Sequence, residues 1–208
     1  MVQAYTVSKT IAEQAALKYG KESGLDVVSI NPGFVVGSAI TPNVPASVEL
    51  TVSLLTGKNE GIEALKVLQI AYGAIPLVHV EDVTSAHIFL MENPSAEGRY
   101  ICGPINTSVP QLAHYLSKRY PQYDVPTQWV YIAAFYYLDM YVYPSIEQLN
   151  VCVYTSRFED LPDKPKFDIS SKKLVDSGFS FKFGIDEIYD DAVEYMKSKG
   201  LLNMTVYK

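Results

Sequence analysis

An α/β fold built on a parallel sheet is the architecture this sequence predicts, and three observations predict it. A helical pattern over Ser8–Lys21 gives way within thirty residues to the short β-branched run "LDVVSINPG". The same alternation returns later, where "AIPLVHV" reads as a buried strand and "EDVTSAHIFLMEN" as the helix after it. A third apolar run, "GRYIC", follows that helix. Strands alternating with helices are the grammar of βαβ units.

The elements justify themselves in order. In the first helix Val7, Ile11, Ala15 and Tyr19 recur at spacings of four, which predicts the core-facing stripe. Gly24 stops it. "LDVVSI" is apolar along its length, as a strand buried on both faces is, and Asn31-Pro32-Gly33 turns the chain out of it. A Pro- and Ser-spotted loop leads to helical runs over Ser47–Leu55 and Glu60–Ile70. In "TSVPQLAHYLSKRYP", Ser108 is placed as an N-cap, Pro110 lies in the first turn, and Pro121 ends the helix. The last helix, "GIDEIYDDAVEYMKSKG", has an apolar face of Ile185, Ile188, Tyr189, Ala192, Val193 and Met196. Asp186 and Glu187 sit at its positive end, Lys197 and Lys199 at its negative end, and Gly200 closes it.

Composition bounds the function. The 208 residues, 48% hydrophobic, are enough for a real core in one or two domains. A net charge of −6, from 17 basic and 23 acidic residues, argues against a nucleic-acid partner. The two cysteines, Cys102 and Cys152, make no disulfide framework and fit a reducing compartment. With no leader-like start, a cytoplasmic location is expected. The three histidines show no ligand spacing, so no metal site is expected. His79, on a strand, is expected to be a satisfied core histidine, and Asp82 a helix cap.

Residues 128–156 break the grammar. They hold the single Trp and six of the 16 Tyr, and fit neither helical nor strand period for long. The uncharged stretch from Trp129 to Leu138 is too short to span a membrane, which takes about 20 apolar residues.

The chemistry lies at the start of the chain. Tyr5 and Lys9, four apart, share a helical face. A phenol ordinarily ionises near pH 10, and a neighbouring ammonium favours its anion. Such a pair suits proton transfer to a carbonyl oxygen, although the spacing alone also describes an ordinary surface pair. The following strand and its Asn-Pro-Gly turn put a rigid corner at a carboxyl end, where open α/β sheets bind ligands.

The chain resembles the carboxyl-terminal part of an extended short-chain dehydrogenase/reductase, of the NAD-dependent epimerase/dehydratase type. Within that superfamily it is most similar to plant anthocyanidin and dihydroflavonol reductases. The stretches that carry the resemblance are "AYTVSKTIAEQAALKYGKESGLDVVSINPGFVVG", "VPASVELTVSLLTG", "VHVEDVTSAHIFLMENPSAEGRYIC", "NTSVPQLAHYLSKRYPQYDVPT" and "FDISSKKLVDSGFSFKFGIDEIYDDAVEYMKSKGLL". It implies a Rossmann-type fold with NADPH as cofactor and a flavonoid-like small molecule as substrate. Tyr5 is then the catalytic acid, and Lys9 holds the nicotinamide ribose. Pro32 and Gly33 line the nicotinamide, Ser47 borders the substrate pocket, and Gln69 reaches substrate hydroxyls. No specific protein partner is implied.

Two departures qualify that picture. The family's phosphate-cradling glycine loop and its catalytic Ser or Thr lie upstream of the Tyr, and nothing here matches them. The chain is therefore expected to begin inside a domain, with residues 1–127 the later half of the Rossmann-like unit and 157–208 a closing segment. Residues 128–156 are expected to be an insert foreign to the family, since the family-like text runs to Thr127 and resumes at Arg157. The rival readings are a dihydroflavonol or cinnamoyl-CoA-type reductase, and a truncated chain without activity of its own.

Overall fold

The computed structural model describes residues 2–126, 161, 164–165 and 167–202, so residues 128–156 lie outside it. Helix α1 spans Val2–Ser23 and leads into strand β1, Val28–Pro32. After Gly33 comes β2, Phe34–Val36. The helical run predicted over Ser47–Leu55 divides at Val52 into α2, Ala46–Thr51, and α3, Ser53–Thr56. Helix α4 is Asn59–Tyr72, β3 is Ile75–His79 and α5 is Val80–Glu92. Strands β4, Gly98–Cys102, and β5, Ile105–Thr107, precede α6, Val109–Arg119. Helices α7, Lys172–Asp176, and α8, Ile185–Ser198, complete the order.

Strand β1 pairs parallel with β4, from Val28 opposite Gly98 to Pro32 opposite Cys102. Strand β2 pairs parallel with β3, which takes β5 antiparallel on its other side. The Gly33 N–H donates to the Cys102 carbonyl at 2.9 Å, so the corner between β1 and β2 stays tied to β4.

Two apolar clusters hold the layers. The larger joins Val36, Ile75 and Leu77 of β2 and β3 to Leu54, Ile62, Leu65, Leu112, Leu116, Ile188, Tyr189 and Met196 of the helices. The smaller packs Ala86 and Leu90 of α5 against Tyr100, Cys102, Leu174 and Phe179, with Val28 and Ile30 of β1 at its margin.

Local chemistry explains the best-defined helices. Ser108 caps α6 by accepting the Gln111 N–H at 3.2 Å, and the Gln111 side chain accepts the Ser108 N–H at 3.3 Å. This reciprocal box satisfies two N–H groups that helix geometry leaves over. In α8 the predicted face is buried at Ile188, Tyr189, Ala192, Val193 and Met196, joined by Tyr195. The Glu187 side chain accepts the Gly184 N–H at 2.8 Å at its start.

Three expectations are corrected. The apolar stripe of α1 does not face a core: Val7, Ile11 and Tyr19 are more than half exposed. The inner side is instead Glu13, Leu17 and Gly20, at i, i+4 and i+7. Strand β1 is not apolar on both faces, because Ser29 and Asn31 turn polar groups toward α1. The cap of α5 is His79, whose Nδ1 accepts the Glu81 N–H at 3.2 Å, rather than Asp82. Asp82 is fully buried in the first turn, where its carboxylate accepts the N–H of Lys182 at 3.0 Å and of Phe183 at 3.2 Å.

Candidate active site

Tyr5 and Lys9 lie on the open side of α1, with Tyr5 64% exposed. The Lys9 ammonium stands 5.5 Å from the centre of the Tyr5 ring, inside cation–π range. The height of the pair against the sheet follows from two contacts. At the foot of α1, a Cβ on Gly20 would lie 2.6 Å from a Val27 methyl, so helix and strand approach closely there. Seven residues earlier, Glu13 bonds Ser29 at 2.6 Å and Asn31 at 2.8 Å. Seven helical residues rise about 10 Å, and the strand advances about as far between Val27 and residue 30. Helix and strand therefore run antiparallel and in step. Lys9, about 6 Å beyond Glu13, is level with the Pro32–Gly33 corner, and Tyr5 overhangs it.

That corner is rigid. Pro32 is exposed at the end of β1. A Cβ on Gly33 would stand 2.8 Å from the Pro76 carbonyl oxygen, a backbone atom that cannot swing aside. Along the helix axis Lys9 and Tyr5 thus lie toward the Pro32–Gly33 end of β1, on the solvent side of α1. An ammonium and a phenol above an exposed turn fit the donor needs of a nicotinamide riboside, whose hydroxyls and carboxamide want such partners.

Ser47 and Gln69 stand elsewhere, and their polar groups are engaged by the scaffold. The Ser47 hydroxyl donates to the Val35 carbonyl at 2.7 Å, tying α2 to β2. Gln69 is 2% exposed, and its side-chain oxygen accepts the Val109 N–H at the start of α6.

A second polar assembly closes the carboxyl ends of β2 and β3. His79 is buried, with its ring stacked 4.0 Å from that of Phe183 and its Nε2 3.2 Å from Asp191 of α8. Asp191 also accepts the Ser38 backbone N–H at 2.7 Å and the Ser38 hydroxyl. Gly37 lets this happen. Its φ of 131° suits glycine, and a Cβ there would lie 2.9 Å from the Asp191 carboxylate. Cys102 is a buried free thiol whose pKa is pushed up to about 11 by burial and then by the Asp82 charge, which makes it unreactive. Among the described residues no cluster of His, Cys, Asp and Glu is arranged to hold a metal, and no helix is long and apolar enough to cross a membrane.

A residue of α1 that sequence reasoning passed over is Glu13. Besides Ser29 and Asn31 it takes both ends of the Arg99 guanidinium from β4, with Nε at 2.8 Å. The sequence shows it continuing the i, i+4, i+8 row of Tyr5 and Lys9, but not the partners on two strands that give the position its meaning.

A Tyr–Lys pair on the helix beside a strand-end turn of a parallel α/β sheet is the arrangement to compare with known proteins. Residues 2–103 match the NAD dependent epimerase/dehydratase family. That match covers just under half of the chain, and likeness to individual reductases runs along nearly all of it. It is 55% identical over 199 residues to a Ginkgo biloba protein named "Putative anthocyanidin reductase", covering 96% of this chain and 50% of that protein. With a (2S)-flavan-3-ol-forming anthocyanidin reductase of Vitis vinifera it shares 46% identity, covering 95% of this chain and 50% of the relative. Among solved structures, vestitone reductase from alfalfa superposes with a TM-score of 0.70 at 34% identity, over 96% of this chain and 53% of that one. The chain therefore spans about half the length of the relatives it matches.

Proposed function

We propose that this chain carries the proton-donor half of an NADPH-dependent reductase acting on a flavonoid-type carbonyl or anthocyanidin-like ring. What supports the reading is the Tyr5–Lys9 pair itself, ammonium 5.5 Å from the ring centre, on a helix that Glu13 ties to Asn31 beside the Pro32–Gly33 corner. The names of its relatives support the substrate class. Solved structures of the same fold hold NADPH in one case and NAD in another, which fits a nicotinamide cofactor without choosing between them.

When bound, the nicotinamide supplies the hydride. Everything else in the step falls to side chains. Tyr5 donates its phenolic proton to the substrate oxygen as negative charge gathers there. Lys9, beside the ring, stabilises the resulting phenolate and reaches the ribose hydroxyls. Pro32 and Gly33 keep bulk away from the nicotinamide face. Ser47, through Val35, and Gln69, through Val109, hold in place the segments that border the substrate. Tyr5 as acid, and Lys9, Pro32 and Gly33 as the cofactor-side set, are the residues we assign.

The test joins this chain to the nucleotide-binding half of an anthocyanidin reductase and omits residues 128–156. NADPH-dependent reduction of an anthocyanidin is expected. Tyr5→Phe should lower kcat by about 10²–10⁴ with cofactor affinity retained. Turnover unaffected by Tyr5→Phe would overturn the assignment.

A further inference from the structure

We propose that Glu13 is the positioning residue of this site, fixing the height of Tyr5 and Lys9 above the Pro32–Gly33 corner by clamping α1 to β1 and β4. The inference builds on the reductase reading, but its geometry stands independently. Among the described residues, Glu13 gives α1 side-chain hydrogen bonds to both β1 and β4. The side-chain stripe of α1 toward the sheet is narrow, and its apolar residues Val7, Ile11 and Tyr19 are bare. The hydroxyls of Ser8, Thr10 and Ser23 bond back to carbonyls of α1 itself, and Lys18 pairs with Glu22 along the same helix. Glu13 reaches outward. One carboxylate receives the Ser29 hydroxyl, the Asn31 amide and the Arg99 guanidinium. Two donors come from β1 and one from β4, so the carboxylate locks helix to sheet along both strands.

Four features make this a positioning device rather than ordinary packing. The Glu13 side chain is only 10% exposed, so an unpaired charge there would be costly. Its pKa is held down from 4.5 to about 2, by Arg99 first and then by the hydroxyl and amide donors, so the clamp is ionised at neutral pH. Asn31 immediately precedes the corner it serves. The contact is also directional: a slide of one helical turn, about 5.4 Å, would bring Lys9 to where Glu13 now sits and leave Tyr5 level with the corner. Beside the close approach of Gly20 to Val27, the hydrogen bonds that Glu13 accepts from three residues oppose that slide.

The experiment uses the whole 208-residue chain and Glu13→Ala, with Glu13→Gln as the isosteric control. Hydrogen exchange across residues 2–23 should speed up by about 10- to 100-fold, the equivalent of losing one or two charge-assisted hydrogen bonds, while exchange in α8 stays unchanged. Spin labels at Val7 and Met91, with Cys102 and Cys152 replaced by alanine, report the placement of α1 across the sheet. Glu13 should give a narrow distance distribution, and Glu13→Ala a broadened or shifted one. Glu13→Gln should fall between, because its amide keeps one acceptor but turns an N–H₂ toward Arg99. Unchanged exchange and distances would overturn the proposal. In the protein joined to a nucleotide-binding half, Glu13→Ala should lower kcat about 10²-fold, as displacements near 1 Å do, and should also raise the KM for NADPH, because Lys9 moves with Tyr5. Loss of NADPH affinity with kcat retained would contradict positioning. Insensitivity to Tyr5→Phe would remove the reductase reading and leave the clamp standing.

Discussion

Asp82 and Phe183, 101 residues apart, meet in the interior, where the aspartate carboxylate accepts the phenylalanine N–H at 3.2 Å. The same carboxylate holds Lys182, and the Phe183 ring lies flat on His79. The approach to α8 is thus fastened to the first turn of α5. Asp82→Ala would leave two N–H groups without their acceptor, and Asp82→Asn would keep one acceptor. Destabilisation of about 2–4 kcal/mol is expected for Asp82→Ala, and less for Asp82→Asn, read from urea unfolding. Equal midpoints for all three proteins would refute this.

The Ser38–Asp191 contact is a second fastening at the same end. Asp191→Ala releases a backbone N–H, a hydroxyl and the His79 imidazole together. Because the Asp191 side chain is 32% exposed, water replaces part of what is lost, and a cost of about 1 kcal/mol is expected. Thermal unfolding measures it. A companion change, Gly37→Ala, should cost at least as much, since it strains the backbone and crowds Asp191.

Acid should loosen α1 selectively. Glu13 has a folded pKa below its ordinary value, so folding favours its ionised form. Its contribution is complete above about pH 4.5 and is lost as the pH falls toward about 2. Hydrogen exchange at steps between pH 5 and pH 2, corrected for the intrinsic rate, should show residues 2–23 losing protection. Glu13→Gln should abolish the pH dependence, and its persistence would assign the effect to another carboxylate.

Gly33→Ala tests the corner. The added methyl would press on the Pro76 carbonyl, so β1 and β3 must separate locally. A loss of about 1–3 kcal/mol is expected, as for overpacking elsewhere. Wild-type stability would show that the corner yields.

Association is the expected behaviour of the chain alone. Among the described residues β1 has one strand neighbour, β4, and its other edge is unpaired. Ile88 and Met91 of α5 are exposed, in a groove that Val28 and Ile30 also line. An unpaired edge beside bare apolar side chains recruits other chains. Size-exclusion chromatography should show oligomers, and a monodisperse monomer would contradict this.

The parts of the fold legible in the sequence are those that local chemistry decides. Helix α6 could be read from Ser108 and Pro110, β4 from "GRYIC", and α8 from its periodic face and end charges. The three-residue strands β2 and β5 and the five-residue α7 are too short to carry a period. The face of α1 was misread because a spacing of four marks apolar rows without saying what covers them. The Tyr5–Lys9 pair and the Pro32 corner were legible as a pattern. Glu13 was not, because a carboxylate on a helix reads as solvated until its partners on two strands, 16 and 86 residues later, are brought to it.

The Asp82 fastening also constrains the order in which this protein can be made. Asp82 leaves the ribosome 100 residues before Lys182. At about 5–20 residues per second, that is a wait of about 5–20 seconds. Through that interval the carboxyl ends of β2 and β3 have no lid, and the nascent chain must keep His79 and Asp82 uncovered until α8 emerges. A chaperone that holds the growing polypeptide over that window should therefore raise the yield more than one supplied after release.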